Sequence, residues 1–138
     1  MNEYKFIDLR VGQNESFKYV VTDEAMKSFC SITGDMNPLH TDEAYAKSHG
    51  YKSNVVYGML TASLISTLAG IYLPGKYCLI QQTESKFIKP VFAGDRLTVK
   101  GEVVDLHESV SQAEIKVTII NQDNEKVLKG TVKVGFLE

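Results

Sequence analysis

The segment TGDMNPLH, residues 33–40, places a carboxylate and an imidazole five positions apart. Asn37 and Pro38 are residues that a turn requires, whereas the acid Asp35 and the base His40 are not. A neighbouring carboxylate makes an imidazole more basic, and burial raises the pKa of a carboxyl group, which is how general acid–base pairs are tuned. If both side chains converge on one water, they could activate it. The alternative is structural: Asp35 caps a turn and His40 is a half-buried loop residue.

A second candidate site lies at the start of a long uncharged segment, residues 55–73. Gly58 follows Tyr57 there and is predicted to begin a helix. Glycine allows a ligand to approach the backbone, and the first amides of a helix have no intrahelical partner. Such amides can stabilise an oxygen on which negative charge develops. Close packing of the helix against a sheet would explain the glycine equally well.

The elements around Asp35 are predicted to hold it at the end of a helix. Thr22 is expected to cap this helix and Gly34 to end it. Pro38 prevents a helix from continuing, and Thr41 is expected to cap a further short turn over DEAYAK. The apolar stripe of the first helix consists of Ala25, Met26, Phe29 and Ile32.

The C-terminal part of the chain favours strands. Apolar and polar residues alternate in LTVKGEVV, AEIKVTI and LKGTVKVGF, and the connections, such as NQDNEK, are rich in turn residues. This alternation predicts an antiparallel sheet with one solvated face. Two further β-like runs, YKFIDL and SFKYVV, lie near the N-terminus. The residues expected to face the core are Leu97, Val99, Val103, Ala113, Ile115, Val117, Ile119, Leu128, Val132 and Val134.

The uncharged segment is 19 residues long, which is nominally enough to span a bilayer. Its hydroxyl residues and two glycines, within an otherwise strand-rich chain, instead favour a helix buried in a soluble fold, from about Gly58 to Ile71. The apolar face of the sheet must be covered, and this helix is the large apolar element available. The predicted fold class is therefore α+β, a long central helix wrapped by a curved antiparallel sheet, in one domain covering residues 1–138.

Composition excludes several classes of partner. The net charge is −2 and the basic residues form no run, so neither nucleic acid nor an anionic membrane is expected to bind. Cys30 and Cys78 have no metal-binding or redox spacing and are expected to be reduced structural thiols. The charged N-terminus is unlike a signal peptide, and a cytoplasmic location is expected. No phosphate-binding glycine loop or zinc motif occurs, so no cofactor or metal is predicted.

The segment FCSITGDMNPLHTDEAYA resembles the hydratase signature of the MaoC-like dehydratases and (R)-specific enoyl-CoA hydratases, a family with the hot-dog fold. The similarity continues through VVYGMLTASLIS, LPGK and SKFIKPVFAGDRLTVKGEV, and so covers most of residues 20–104. The positions that match the signature are Phe29, Thr33, Gly34, Asp35, Asn37, Pro38, Leu39, His40 and Ala46.

This resemblance implies reversible hydration of a trans-2-enoyl thioester, of coenzyme A or an acyl carrier protein, to the (R)-3-hydroxyacyl product. Asp35 and His40 match the pair that activates water, and Asn37 matches a loop residue that shapes the pair. Gly58 matches the residue whose amide polarises the thioester carbonyl, and Ser66 matches a serine that lines the site. The sites of the family lie at a dimer interface, so a homodimer is implied.

One position departs from the family pattern. The family usually has histidine before the glycine of the helix entry, and this chain has Tyr57, which alters the wall near the acyl chain or the thioester. Two other functions stay open. A hot-dog thioesterase would release a free thiol, although the presence of both Asp35 and His40 argues against it. A non-catalytic module that binds acyl thioesters would require Tyr57 to block the site.

Overall fold

The computed structural model describes residues 1–137, which form one five-stranded antiparallel sheet and four α-helices. The order of the strands across the sheet is β1-β3-β4-β5-β2, with every neighbouring pair antiparallel. The strands are β1 (Asn14–Val20), β2 (Cys78–Phe87), β3 (Arg96–His107), β4 (Gln112–Ile120) and β5 (Lys126–Phe136).

The helices precede or interrupt the strands in the chain. They are α1 (Asp23–Thr33), α2 (Pro38–Thr41), α3 (Glu43–Ser48) and α4 (Gly58–Thr67), and α4 continues as a π-helical turn, Leu68–Tyr72. The predicted helix from about Gly58 to Ile71 is thus confirmed. Within the described chain, no helix combines the length and hydropathy needed to cross a membrane.

The sheet buries the residues that its alternating pattern predicts. All ten residues expected to face the core are at most 1% exposed. They pack against α4 and its π-helical turn, where Leu68 and Ala69 are fully buried. Gly101 of β3 makes the close approach possible, because a Cβ atom there would lie only 2.9 Å from the Leu68 side chain. The predicted α+β architecture, a helix wrapped by a curved sheet, is confirmed.

The ends of α1 are as predicted. The Thr22 hydroxyl accepts a hydrogen bond from the Ala25 amide at 3.1 Å, which satisfies one amide of the first turn. Gly34 ends the helix with a left-handed backbone (φ 75°), and its amide donates to the Cys30 carbonyl. Ile32 was expected on the buried stripe but is 82% exposed, and Met26 is the buried residue of α1.

Two local predictions were wrong. The run YKFIDL is no strand: the Asp8 carboxylate accepts from the Lys5 amide at 2.9 Å and closes a 3-10 turn over Phe6–Asp8. The cap of α3 is Asp42, whose carboxylate accepts from the Tyr45 amide, whereas Thr41 ends α2. A carboxylate is the better cap because its charge also interacts favourably with the helix dipole.

The sheet does not enclose α4 on all sides. Met59 is 66% exposed, and Ser63, Ser66 and Thr67 are exposed along the same helix. The five strands cover one side of α4 and leave the other side open next to β2, one of the two edge strands of the sheet. Two of the predicted site residues, Asp35 and Ser66, line a groove along this open side.

Candidate active site

His40 lies on the one-turn helix α2, which the local sequence builds. Pro38 occupies the first turn, where its missing amide hydrogen is not needed, and the Asn37 side chain accepts from the Leu39 amide at 2.9 Å. The Nδ1 atom of His40 lies 2.7 Å from the Val55 carbonyl oxygen. Because a carbonyl oxygen can only accept, Nδ1 must carry the hydrogen. In the neutral form of the ring, Nε2 is then the atom that can accept a proton.

Asp35 follows the left-handed Gly34 and is exposed. Its carboxylate accepts from the Asn37 amide at 3.0 Å, which fixes the loop between α1 and α2. Within residues 1–137 no hydrogen bond or salt bridge joins Asp35 to His40. The two candidate groups are thus held by the same loop without direct contact, and Asn37 organises that loop through both its backbone and its side chain.

Tyr57 contacts both candidate residues, the backbone of Asp35 and the ring of His40. It is 2% exposed, and its hydroxyl donates to the backbone carbonyl of Asp35 at 2.6 Å. Its ring centroid lies 4.2 Å from that of His40 and 4.8 Å from that of Phe29. Burial, with smaller contributions from Cys30 and the Asp35 charge, raises the pKa of Tyr57 to about 12. The hydroxyl therefore stays protonated and keeps its role as a donor.

Gly58 begins α4, as predicted. The Tyr57 carbonyl accepts from the amides of Leu60 and Thr61, so the amides of Gly58 and Met59 precede the first hydrogen bonds of the helix. Gly58 and His40 line one cavity of about 240 Å³. The Phe87 ring packs over Gly58, where a Cβ atom would lie 3.1 Å from it.

Asp35 and Ser66 line a different and larger space, a groove of about 770 Å³ along the open side of α4. Phe87 lines both this groove and the cavity of His40 and Gly58, so its ring separates the two. The structure thus brings together the predicted residues in two pairs, His40 with Gly58 and Asp35 with Ser66.

Tyr57 lines neither of these spaces. It borders a third cavity of about 580 Å³, together with His40, Cys30 and Asn54. The tyrosine therefore supports the loop that carries Asp35 and His40 and does not fill the groove or the cavity. The position of Tyr57 therefore gives no support to the alternative of a non-catalytic module, which requires this side chain to block the site.

Among residues 1–137, the side chains spaced closely enough to hold a metal ion lie elsewhere. Asp105, His107 and Glu114 have ligand atoms within 4.8 Å of one another, at neighbouring ends of β3 and β4. Nε2 of His107 already contacts the Asp105 carboxylate at 3.4 Å. None of the three lines the cavity of His40 or the groove of Asp35.

Sequence reasoning overlooked two residues of this region. Thr61 lines the cavity of His40 and Gly58, and Phe87 forms the boundary described above. The spacing of Thr61, three residues after Gly58, would have placed both on one helix face. Phe87 had no such signal, because its position over Gly58 depends on how β2 packs beside α4.

A family model described as the MaoC like domain matches residues 10–126. The chain belongs to the MaoC-like family. An (R)-specific enoyl-CoA hydratase from Aeromonas caviae is 34% identical over 126 residues, which is 91% of this chain and 94% of the relative. A 3-hydroxybutyryl-CoA dehydratase from Methylorubrum extorquens is 35% identical over 129 residues, 94% of this chain and 82% of the relative.

The fold agrees with this family membership. The unliganded R-hydratase PhaJ1 from Pseudomonas aeruginosa matches with a TM-score of 0.90 at 28% identity, over 97% of this MaoC-like chain and 86% of that one. The predicted family and hot-dog fold are confirmed. The predicted hydro-lyase class is also confirmed, since these relatives are hydratases and a dehydratase.

Proposed function

We propose that this MaoC-like protein reversibly hydrates a trans-2-enoyl-CoA to the (R)-3-hydroxyacyl-CoA. One observation carries the proposal: His40, whose Nε2 is left free by the bond from Nδ1 to Val55, lines the same cavity as Gly58 at the start of α4. A proton acceptor and an amide suited to an anionic oxygen are the two groups that water addition to an enoyl thioester requires.

In the forward step, the oxygen of water bonds to C3 of the enoyl group and the water proton passes to the Asp35–His40 pair. The electrons of the C2–C3 double bond move to the thioester oxygen and form an enolate. C2 then takes a proton from the pair, and the thioester carbonyl is restored. We assign the proton transfers to the two residues together and do not divide the acid and base roles between Asp35 and His40.

Asp35 joins this step through rotation of its side chain. Its backbone is held against Tyr57, while its carboxylate is exposed and held by a single amide of its own loop. Ser66, which shares the groove with Asp35, is proposed to line the path of the substrate. Asn37 keeps the loop in shape, because its amide donates to the Asp35 carboxylate and its side chain accepts from the Leu39 amide.

The Gly58 amide is proposed to receive the thioester oxygen. This amide lies at the positive end of the α4 dipole and ahead of its hydrogen-bond ladder, so it can stabilise the charge of the enolate. The relatives named above are an enoyl-CoA hydratase and a 3-hydroxybutyryl-CoA dehydratase, which supports coenzyme A as the thiol.

We further propose that the protein is a homodimer. Met59 on α4 and Ile80 and Phe87 on β2 are 66%, 39% and 51% exposed, and β2 is an edge strand with one free side. Exposed apolar side chains next to a free strand edge are typical of an interface. A second copy placed there would cover the groove that contains Asp35 and Ser66.

The cysteines fit the proposed reducing, cytoplasmic location. Cys30 and Cys78 are both free thiols. Burial raises the pKa of Cys78 to about 11, so this thiol stays protonated and unreactive at neutral pH.

The test is to mix the purified protein with crotonyl-CoA and follow the enoyl-thioester absorbance, with a thiol reagent in a parallel sample. Loss of absorbance without release of thiol is the expected result, and chiral analysis of the product should give the (R) isomer. Release of thiol would instead identify a thioesterase. Absence of both signals, with longer enoyl chains as well, would contradict the proposal.

A further inference from the structure

Thr61 carries a buried hydroxyl that has no hydrogen-bond partner. The residue is 4% exposed, and among the described residues its Oγ1 is the one buried side-chain polar atom left unpaired. Buried polar groups are almost always paired, so an exception requires an explanation.

Other helical hydroxyls in this chain do find backbone partners. The Thr33 hydroxyl donates to the Phe29 carbonyl at 2.8 Å, and the Ser63 hydroxyl to the Leu60 carbonyl at 2.6 Å. Such bonds to the preceding turn are the usual solution for a hydroxyl in a helix. Thr61 makes no such bond, so its hydroxyl is available to a group from outside the chain.

The unpaired hydroxyl lies beside the start of α4. Thr61 is three residues after Gly58, so the two share a helix face, and side chains on a helix lean towards its N-terminus. Both line the cavity of about 240 Å³ that also contains His40. Much of the remaining wall is apolar and offers the hydroxyl no partner, as it includes Val55, Val56, Val91 and Val127.

Phe87 covers this corner of the cavity. Its ring packs over Gly58, yet the residue is 51% exposed. Rotation of this ring away from Gly58 opens the Gly58 amide and the Thr61 hydroxyl together to an entering acyl group.

We propose that the Thr61 hydroxyl donates a second hydrogen bond to the thioester carbonyl oxygen held by the Gly58 amide. This inference rests on the proposed hydration. A carbonyl oxygen has two lone pairs and can accept from both groups at once. Because charge on this oxygen grows as the enolate forms, the second bond is strongest in the transition state and acts mainly on kcat.

The test compares Thr61→Val, which replaces the hydroxyl with a methyl group of similar size, with Thr61→Ser, which keeps it. Thr67→Val is the matched control, because Thr67 is an exposed threonine on the same helix. We expect Thr61→Val to lower kcat for crotonyl-CoA about 100-fold with little change in KM. Thr61→Ser should keep most of the activity, and Thr67→Val all of it.

Two further readouts distinguish this role from a structural one. Thr61→Val should raise the Tm by about 3 °C, because it removes a buried hydroxyl that nothing satisfies in the free protein. The absorbance of bound 2,4-hexadienoyl-CoA should shift less to the red than with the wild type, because one group that polarises the carbonyl is gone.

The outcomes separate this inference from the proposed function. A wild type that hydrates crotonyl-CoA together with a Thr61→Val variant of unchanged kcat would overturn the role of Thr61 alone. A lower Tm of Thr61→Val would show that the hydroxyl is paired inside the protein and would also overturn it. A wild type without hydratase activity on any enoyl-CoA would overturn both proposals.

Discussion

Tyr57 precedes Gly58, at the position where the family usually has histidine. Its contacts hold the loop that carries the candidate residues Asp35 and His40. Tyr57 reaches across 22 positions of sequence to hold the backbone carbonyl of Asp35, and its ring supports the imidazole of His40. A buried aromatic ring with a polar end suits this position, because the ring packs while the hydroxyl pairs. Tyr57 is therefore a positioning residue for the loop.

At the same scale, we expect Asp35→Asn and His40→Ala each to lower the rate of crotonyl-CoA hydration by a factor of about 100 or more, since a positioned proton transfer contributes that much. Steady-state kinetics measure the effect. Asp123→Asn, an exposed aspartate that lines neither the cavity of His40 nor the groove of Asp35, is the control. Rates like those of the wild type in either site variant would remove that residue from the mechanism.

Tyr57→Phe should lower the free energy of unfolding by about 1–2 kcal/mol at pH 8, because the carbonyl of Asp35 loses a buried hydrogen bond. The difference should shrink above pH 10. There the unfolded tyrosine loses its proton while the folded one keeps it until about pH 12, so the stability that Tyr57 contributes falls as pH rises. Urea unfolding of both proteins from pH 8 to pH 11 measures this, and a difference independent of pH would contradict it.

At the scale of elements, the end of α1 decides where Asp35 lies. Gly34 adopts a left-handed backbone and turns the chain out of the helix, and Asp35 follows at once. Asn37 and Pro38 then start α2 three residues later, so that His40 returns towards the same loop. Two helix termini and one turn thus place an acid and a base on one short loop.

We expect Gly34→Ala to lower the free energy of unfolding by about 1–2 kcal/mol, because a Cβ atom disfavours the left-handed backbone. The added methyl group meets nothing within 4 Å, so the cost is that of the backbone alone. Gly70→Ala is the matched control, with equally open space but an ordinary φ. Urea unfolding should show no loss for Gly70→Ala, and equal losses in the two variants would contradict this account.

At the scale of the whole molecule, the sheet has too few strands to surround α4. It has five strands, and the free edge of β2 lies next to the exposed side of α4. The groove with Asp35 and Ser66 runs along this same side. A second copy that covers the apolar side chains would therefore also complete the walls of the site.

Met59→Glu should raise the dissociation constant of the proposed dimer about 100-fold or more, because an unpaired carboxylate would be buried at the proposed interface. Sedimentation at a series of concentrations measures it. Ile7→Glu is the control, since Ile7 is 78% exposed, lies in the N-terminal 3-10 turn and does not line the groove between α4 and β2. A dimer that tolerates Met59→Glu as well as Ile7→Glu would place the interface elsewhere.

The sequence by itself determined the features that depend on neighbours along the chain. Alternation of apolar residues, as in Ile115, Val117 and Ile119, fixed three strands and their buried faces, because the pleat points successive side chains to opposite sides. Thr22 and Gly34 determined the ends of α1 for the same kind of local reason. Strand β2 was not singled out, since it is exposed along most of its length and is held in the sheet by pairing with β5 alone.

Only the tertiary structure decided how the site is assembled. The bonds from His40 to Val55 and from Tyr57 to Asp35 join residues 15 and 22 positions apart. They exist because α4 docks against the loop, and no periodicity or propensity encodes that docking. The unpaired hydroxyl of Thr61 is likewise invisible in sequence, since a helical threonine normally bonds to its own backbone and only the packed cavity shows that this one does not.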